Sequence, residues 1–507
     1  MNKRNDSFVL IGLALVIFLF LYLTGTITSG YHNTDDHEIL DILKDVKKLP
    51  IQDVIYKWIE NDLNIRYRPM YFVHRVLQTA IFQDDLLLWS IYNYILCVCT
   101  FFLFYKGMRN LRFSILESLL FNIIAFWGTQ IAVWWMLGPN ETIGCFFLSI
   151  SFYFLSKCNG EKYYTKNSML FTLFLALSSL SKESFTLIIP AMILLKVSNE
   201  KEVYNSSWEK AIRKNRLQLL SFLVLLFNLL VIVLYVGTNK IGYAGVDQDV
   251  LYKLKEINQV LGSLSKYLLI LGISFLGLLV ARITLKKGTM KDIWIPIFIF
   301  LLIAIPNILL YTKSGMSGRY FLPATIGFAF IIIFLLRAFK PLSSGSYWLL
   351  ILISLFILKK PIRKSVEEAR NFAKEGHENN ELLAEVLKFY HDGKNTVLAA
   401  DPVGAHEASS SIFTYLNFNQ QVKLYAYEIE DKTSWGNDSV FAKRLTDAWR
   451  GWFSKSLYKD MKGRPDMIIF LKKDLSNRFF TDSKIDSLDY TNTIPTNSRY
   501  SFFVKKQ

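Results

Sequence analysis

The sequence predicts a polytopic α-helical membrane protein of about eleven transmembrane helices, followed by a small extracytoplasmic α/β domain. Three observations carry this. Of 507 residues, 52% are hydrophobic, more than an ordinary soluble chain of this size holds. The apolar residues stand in blocks near the ~20 residues that a helix needs to cross a bilayer. Beyond residue 360 the pattern changes, and short apolar runs alternate with polar helical stretches. The expected division is a membrane domain over 1–360, with a first outer loop at 29–85, and an α/β domain over 361–507.

The formal charge of +16 reports topology. The basic residues cluster in short loops between apolar runs, such as 105–112, 157–167, 281–292 and 337–341, which is the positive-inside pattern. No nucleic-acid module is present in the sequence. Cys97, Cys99, Cys145 and Cys158 lie in or beside apolar runs. Their spacing is a poor match to a metal site and reads as packing.

Taken in order, Lys3 and Arg4 precede the apolar run Phe8–Leu23. No A-x-A-like cleavage site follows, so the run reads as an uncleaved first span with a cytoplasmic N-terminus. In the outer loop, Ile39, Leu40, Ile42, Leu43 and Val46 have helical spacing, and Pro50 ends the helix. Val54–Ile59 forms a second amphipathic piece. Both are expected to lie flat on the membrane surface. Further spans are expected near 86–105, 113–136, 141–157, 168–181, 184–197, 217–236, 265–283, 292–311, 320–337 and 346–359, with an outer loop at 237–264. The stretch 168–197 is broken at Ser181-Lys182-Glu183-Ser184, so it reads as two short helices meeting at a charged outer tip. This count places the C-terminus outside. A helix is expected over 366–390 and another over 407–416, with strands at 396–400, 423–427, 466–470 and 500–504. Asp401-Pro402-Val403-Gly404 is not a glycine-rich phosphate loop.

Under this topology the polar residues that interrupt the membrane part fall on the outer side: Asp35, Asp36, His37 and Glu38; Arg66 and Arg68; Asn140 and Glu141; Lys182 and Glu183; Lys313, Arg319 and Tyr320. Cations there run against the positive-inside rule. Carboxylates and cations at one leaflet suit acid–base work on an anionic headgroup. Each group has a structural alternative. Thr34, Asp35 and Asp36 can cap the helix that follows. Arg319-Tyr320 can snorkel, and Arg66 and Arg68 can anchor a surface helix to headgroups. Lys182-Glu183 can be a local ion pair, Asn140-Glu141 only a helix start, and Trp134-Trp135 an interface belt. His37 reads as structural or as a substrate contact.

The ordered set resembles the GT-C glycosyltransferases, in particular the protein O-mannosyltransferase and aminoarabinose-transferase group. It comprises the acidic pair after the first span, R-x-R-P-M-Y (66–71), G-P-N-E-T opening a span, S-K-E-S at a helical tip, and S-G-R-Y-F-L-P opening a late span. The likeness covers roughly residues 8–360. The family often has Asp-Glu where this chain has Asp-Asp-His-Glu, which leaves the base open between Asp36 and Asp35. The resemblance implies transfer of a sugar from a polyprenyl-phosphate donor to a glycan, lipid or protein acceptor, outside the cytoplasmic membrane. The chemistry needs a base for the acceptor proton, first Asp36 and then Asp35. It also needs cations for the leaving phosphate, namely Arg68, Arg319 and Lys182. Glu141, Arg66, Tyr320 and His37 complete the expected substrate-binding set. A divalent cation, magnesium or manganese, held by Asp36 and Glu141 is an open option. The rival expectations are an O-antigen polymerase or ligase, and a transporter or flippase of lipid-linked glycans. The second predicts two related halves and charges near the midplane, neither of which the sequence shows.

Overall fold

The computed structural model describes residues 3–63, 66–158, 164–231, 234, 250–285, 291–314, 318–339, 344–390, 394–420, 422–429, 439–454, 456–472, 474–494 and 498–506. The expected outer-loop segment 237–249, and parts of the loops used above to assign topology, lie outside them. The chain divides into two compact units. One comprises Met1–Thr24, Ile55–Leu77 and Ser90–Ala369; the other comprises Gly25–Val54, Gln78–Trp89 and Arg370–Gln507.

The first unit is helical. Across the described residues, six helices are long and apolar enough to cross a membrane: Asp6–Thr24, Leu86–Asn110, Ser265–Ile283, Ile293–Leu310, Gly318–Ala338 and Ser344–Phe389. At ~1.5 Å of rise per residue each approaches or exceeds the ~30 Å hydrocarbon core. Gly318–Ala338 is the most enclosed; Leu322, Ala324, Ile326, Phe328 and Ile332 are all buried. A helix apolar on every side belongs at the centre of a bundle. Other expected spans form shorter helices, including Glu141–Ser156, Tyr164–Ser179, Ile189–Val203 and Leu219–Val231.

Two expected elements differ. The run 113–136 is not one span. Ser114 and Glu117 start a helix with a reciprocal capping box, but the helix ends at Phe126 and a 3-10 turn follows at Thr129–Trp134. The Gln130 side chain donates to the Ala125 carbonyl at 3.0 Å, and Thr325 Oγ1 donates to the same oxygen at 2.8 Å. Side chains thus satisfy a carbonyl that the broken helix leaves unpaired. Conversely, the expected span 346–359 and helix 366–390 are one 46-residue helix, Ser344–Phe389, with Pro361 inside it. Pairs at i,i+4 such as Arg363–Glu367 at 2.8 Å follow the proline; they add a little helix support on its exposed side.

The second unit is α/β. Its strands are β1 (Thr396–Ala400), β2 (Leu424–Glu428), β3 (Met467–Phe470), β4 (Tyr490–Asn492) and β5 (Ser501–Lys505). The sheet order is β2-β1-β3-β5-β4, with β1 parallel to β2 and β3, and β5 antiparallel to β3 and β4. The parallel strands read as continuous apolar runs because both faces are covered. Leu398 and Ala400 point into one core, Val397 and Ala399 into the other, as a two-residue period requires. The helix His37–Val46 is not a membrane-surface helix. Its Ile39, Leu40, Ile42 and Leu43 are buried, and Leu40 joins Leu382, Leu398 and Ile412 in the core of this unit. The periodicity identified an apolar face, and the α/β core is what covers it.

Candidate active site

In the first unit, five separated segments bring charge together. Arg68, just before the helix Pro69–Phe82, grips Asp62: Nη2 lies 2.5 Å from Oδ1, and Nε lies 3.2 Å from both carboxylate oxygens. Such a fork is the strong, directional form of an ion pair. The rings of Tyr71 and Phe72 lie 5.5 and 5.6 Å from the guanidinium carbon. Burial opposes the Arg68 charge, but Asp62 and then Glu183 more than compensate and raise its pKa above the ordinary guanidinium value.

Asn140 carries the chain of contacts onward. With the amide oriented so that both its atoms find partners, it accepts from Arg68 Nη1 and donates to Glu141 Oε2 at 3.1 Å. The other Glu141 oxygen bonds Lys182 Nζ, and both side chains are buried. Lys182 Nζ lies 4.5 Å from the centre of the Tyr320 ring, and the Arg319 guanidinium lies 5.3 Å from the same ring. Arg319 also reaches Met136 Sδ at 3.9 Å. Glu183 feels Lys182, Arg66 and Arg68 together. Four cations (Arg66, Arg68, Lys182, Arg319) therefore share this region with three carboxylates (Asp62, Glu141, Glu183). The excess of one positive charge suits an anionic ligand.

Local structure holds these side chains in place. The Met70 amide donates to the Leu180 carbonyl at 3.0 Å, tying the R-x-R-P-M-Y segment to the Lys182 tip. Ser178 Oγ donates to the Gly144 carbonyl at 2.7 Å. A Cβ on Gly144 would stand 2.8 Å from the Phe185 ring, and one on Gly318 would stand 2.4 Å from the Thr129 side chain. Glycine at both positions lets the Glu141 helix approach the tip and the Arg319 turn approach the 3-10 turn.

The acidic loop belongs to the second unit. Asp36 is buried. Its Oδ2 accepts from the His32 amide at 2.9 Å and lies 3.3 Å from His32 Nδ1. The His32 ring stacks on Phe372, centroids 3.7 Å apart. Asp36 occupies the N-cap position of the helix His37–Val46 without a side-chain cap bond. Its carboxylate is turned back onto His32, so the capping alternative does not describe what it does. Asp35 has φ +66°, a left-handed conformation that Asp tolerates better than most residues. Burial lowers the His406 pKa, and the charge of His37 adds a smaller push in the same direction.

Of the nine expected residues, Arg66, Arg68, Glu141, Lys182, Arg319 and Tyr320 thus gather in the first unit, and Asp35, Asp36 and His37 lie in the second. Asp62 and His32 were not singled out from the sequence. Asp62 looks like one more charge on the polar face of an amphipathic helix, and only the fold shows its fork to Arg68. Among the described residues no three His, Cys, Asp or Glu side chains gather as a metal site, and both Glu141 oxygens are engaged.

No protein-family model matches the sequence, and no curated protein sequence matches it. Solved structures do. The fold is that of the GT-C membrane glycosyltransferases. The ArnT structure from Cupriavidus metallidurans bound to undecaprenyl phosphate matches at 10% identity and TM-score 0.52, over 99% of this chain and 98% of that one. The apo ArnT structure matches at 13% identity, with the same coverage and TM-score 0.51. An apo oligosaccharyltransferase from Archaeoglobus fulgidus matches at 9% identity and TM-score 0.46, over 97% of this chain and 73% of that one.

Proposed function

We propose that the chain is a membrane glycosyltransferase. It moves a sugar from a polyprenyl-phosphate donor to a glycan, lipid or protein acceptor at the outer face of the cytoplasmic membrane. The observation that carries this is the cation cluster around Tyr320 and Glu141, built on a fold whose solved example holds undecaprenyl phosphate. A lipid phosphate needs cations held partly or wholly out of water, and the half-buried Arg68 and Arg319 and the buried Lys182 have that chemistry.

The step is a displacement at the anomeric carbon. The acceptor oxygen forms the new bond, the carbon–oxygen bond to phosphate breaks, and the electron pair leaves on the polyprenyl phosphate. Arg68, Arg319 and Lys182 stabilise the charge that grows there. The acceptor proton passes to Asp36, with Asp35 as the alternative base. The His32 contact supports this role because it orients the Asp36 carboxylate. A single displacement inverts the anomeric centre.

The test uses the purified full chain, undecaprenyl-phosphate sugar labelled in the sugar, and an envelope extract as acceptor source. Label should appear on an extract component while undecaprenyl phosphate is released in equal amount. Donor that stays intact while crossing vesicles would indicate a flippase instead and end the transferase reading.

A further inference from the structure

The α/β unit contains a cleft that the transfer step does not use. It measures about 770 Å³, and Gly404, Ala408, Lys472, Ser476, Asn477 and Arg499 are among its walls. That volume lies within the ~300–1,000 Å³ of small-molecule sites. Strand order explains its position. From β1 the chain goes to β2 on one side, and then returns to β3 on the other side of β1. The connections leaving the carboxyl ends of β1 and β3 therefore diverge, and open α/β sheets bind ligands in the crevice this leaves. Gly404 and Ala405 follow β1, Leu471, Lys472 and Asp474 follow β3, and both groups wall the cleft.

The lining has a definite chemistry. Lys472 and Arg499 supply positive charge, and Asp474, Ser476 and Asn477 supply polar groups for hydroxyls. Arg499 pairs with Glu375 at 2.5 Å at the exposed rim and lies 5.1 Å from the Tyr500 ring centre. A nucleotide diphosphate does not suit the loop after β1. Asp401 already accepts the amides of Val403 and Gly404, at 3.1 and 2.8 Å, and such amides are what a diphosphate would need. The opposite wall leads to the acidic loop of the same unit. Tyr500 also lines the cleft, and its hydroxyl accepts from Asn33 Nδ2 at 2.6 Å. Asn33 stands three residues before Asp36.

We propose that this cleft binds a saccharide bearing one phosphate or carboxylate group, with the anion at Lys472 and Arg499 and the hydroxyls at Ser476, Asn477 and Asp474. That the saccharide belongs to the acceptor rests on the transfer reading; the binding itself does not.

Calorimetry on the detergent-solubilised full chain tests it, with glucose 1-phosphate, glucuronate, glucose and inorganic phosphate as probes. One saturable site is expected for glucose 1-phosphate or glucuronate. Lys472→Ala should weaken it about tenfold, the scale of one charge-assisted contact. Ala408→Trp, which fills the half-buried wall without removing charge, should abolish it. Undecaprenyl phosphate binding and the melting temperature should be unchanged in both variants, which shows that both units fold. Absent binding, or binding that neither variant alters, overturns the proposal. Glucose binding as tightly as glucose 1-phosphate overturns the anion site, and inorganic phosphate binding as tightly overturns the saccharide site. Binding without transfer would remove only the transfer reading; transfer without binding would remove only the cleft.

Discussion

Glu141 and Lys182 form an ion pair 41 residues apart in sequence and almost wholly out of water, at 1% and 6% side-chain exposure. Taking both charges out of water is unfavourable, and their mutual contact is the main offset, helped by the Asn140 amide on Glu141 and the Tyr320 ring by Lys182. Glu141→Gln alone should therefore destabilise by about 3–5 kcal/mol, because it leaves Lys182 buried without its hydrogen-bonded carboxylate. Glu141→Gln with Lys182→Met should lose much less than the two single changes summed. Thermal unfolding of the four proteins of this cycle in detergent checks it; additive losses would mean that the pair is not coupled. Asp36 makes a different prediction. Asparagine keeps its shape but cannot take a proton, so Asp36→Asn should lower transfer about 10²- to 10⁴-fold with donor binding intact. A full rate would move the base to Asp35. Neither Asp62 nor His32 could be assigned from the sequence, because a lone Asp on an amphipathic helix and a lone His carry no local signal.

Glycine decides how closely elements meet. The helix Glu141–Ser156 brings Gly144 against Phe185, which is fully buried at the charged tip. Gly144→Ala would place its Cβ 2.8 Å from that ring, and the overpacking should destabilise by about 1–3 kcal/mol. The tip would have to shift, so transfer should fall together with the melting temperature. A variant with wild-type melting and activity would show that the tip has room. At this scale much was legible. The four expected strands are present to within a residue or so, since buried strands form short apolar runs that polar helices do not imitate. The edge strand Tyr490–Asn492 was not legible, because three residues with one buried carry too little pattern. The break after Phe126 had only a short local signal, Gly128-Thr129-Gln130 between apolar stretches, and the Thr325 hydroxyl that helps satisfy the freed Ala125 carbonyl comes from 200 residues away.

For the whole molecule, the alternation of basic loops predicts an extracytoplasmic α/β domain. Leu488 is 73% exposed in that unit, and three of the four native cysteines are buried. Leu488→Cys should therefore react with a membrane-impermeant maleimide on intact cells, or on spheroplasts if an outer membrane blocks access. Labelling only after lysis would place the domain in the cytoplasm and reverse the topology. The division into two units also changes what the first outer loop is. Its Asp35–Asp36 segment is built into the α/β unit through Leu40 and Tyr31, whereas its Arg66–Arg68 segment is built into the helical one.

The sequence by itself determined the membrane class and the α/β character of the tail. These depend on composition and on short-range period, which are written along the chain. Only the tertiary structure decided which charges meet. Asp62, Arg68, Asn140, Glu141, Lys182, Tyr320 and Arg319 are joined by contacts between side chains far apart in sequence. No spacing rule encodes such contacts; they follow from how the helices pack, and from the need of each buried charge for a partner.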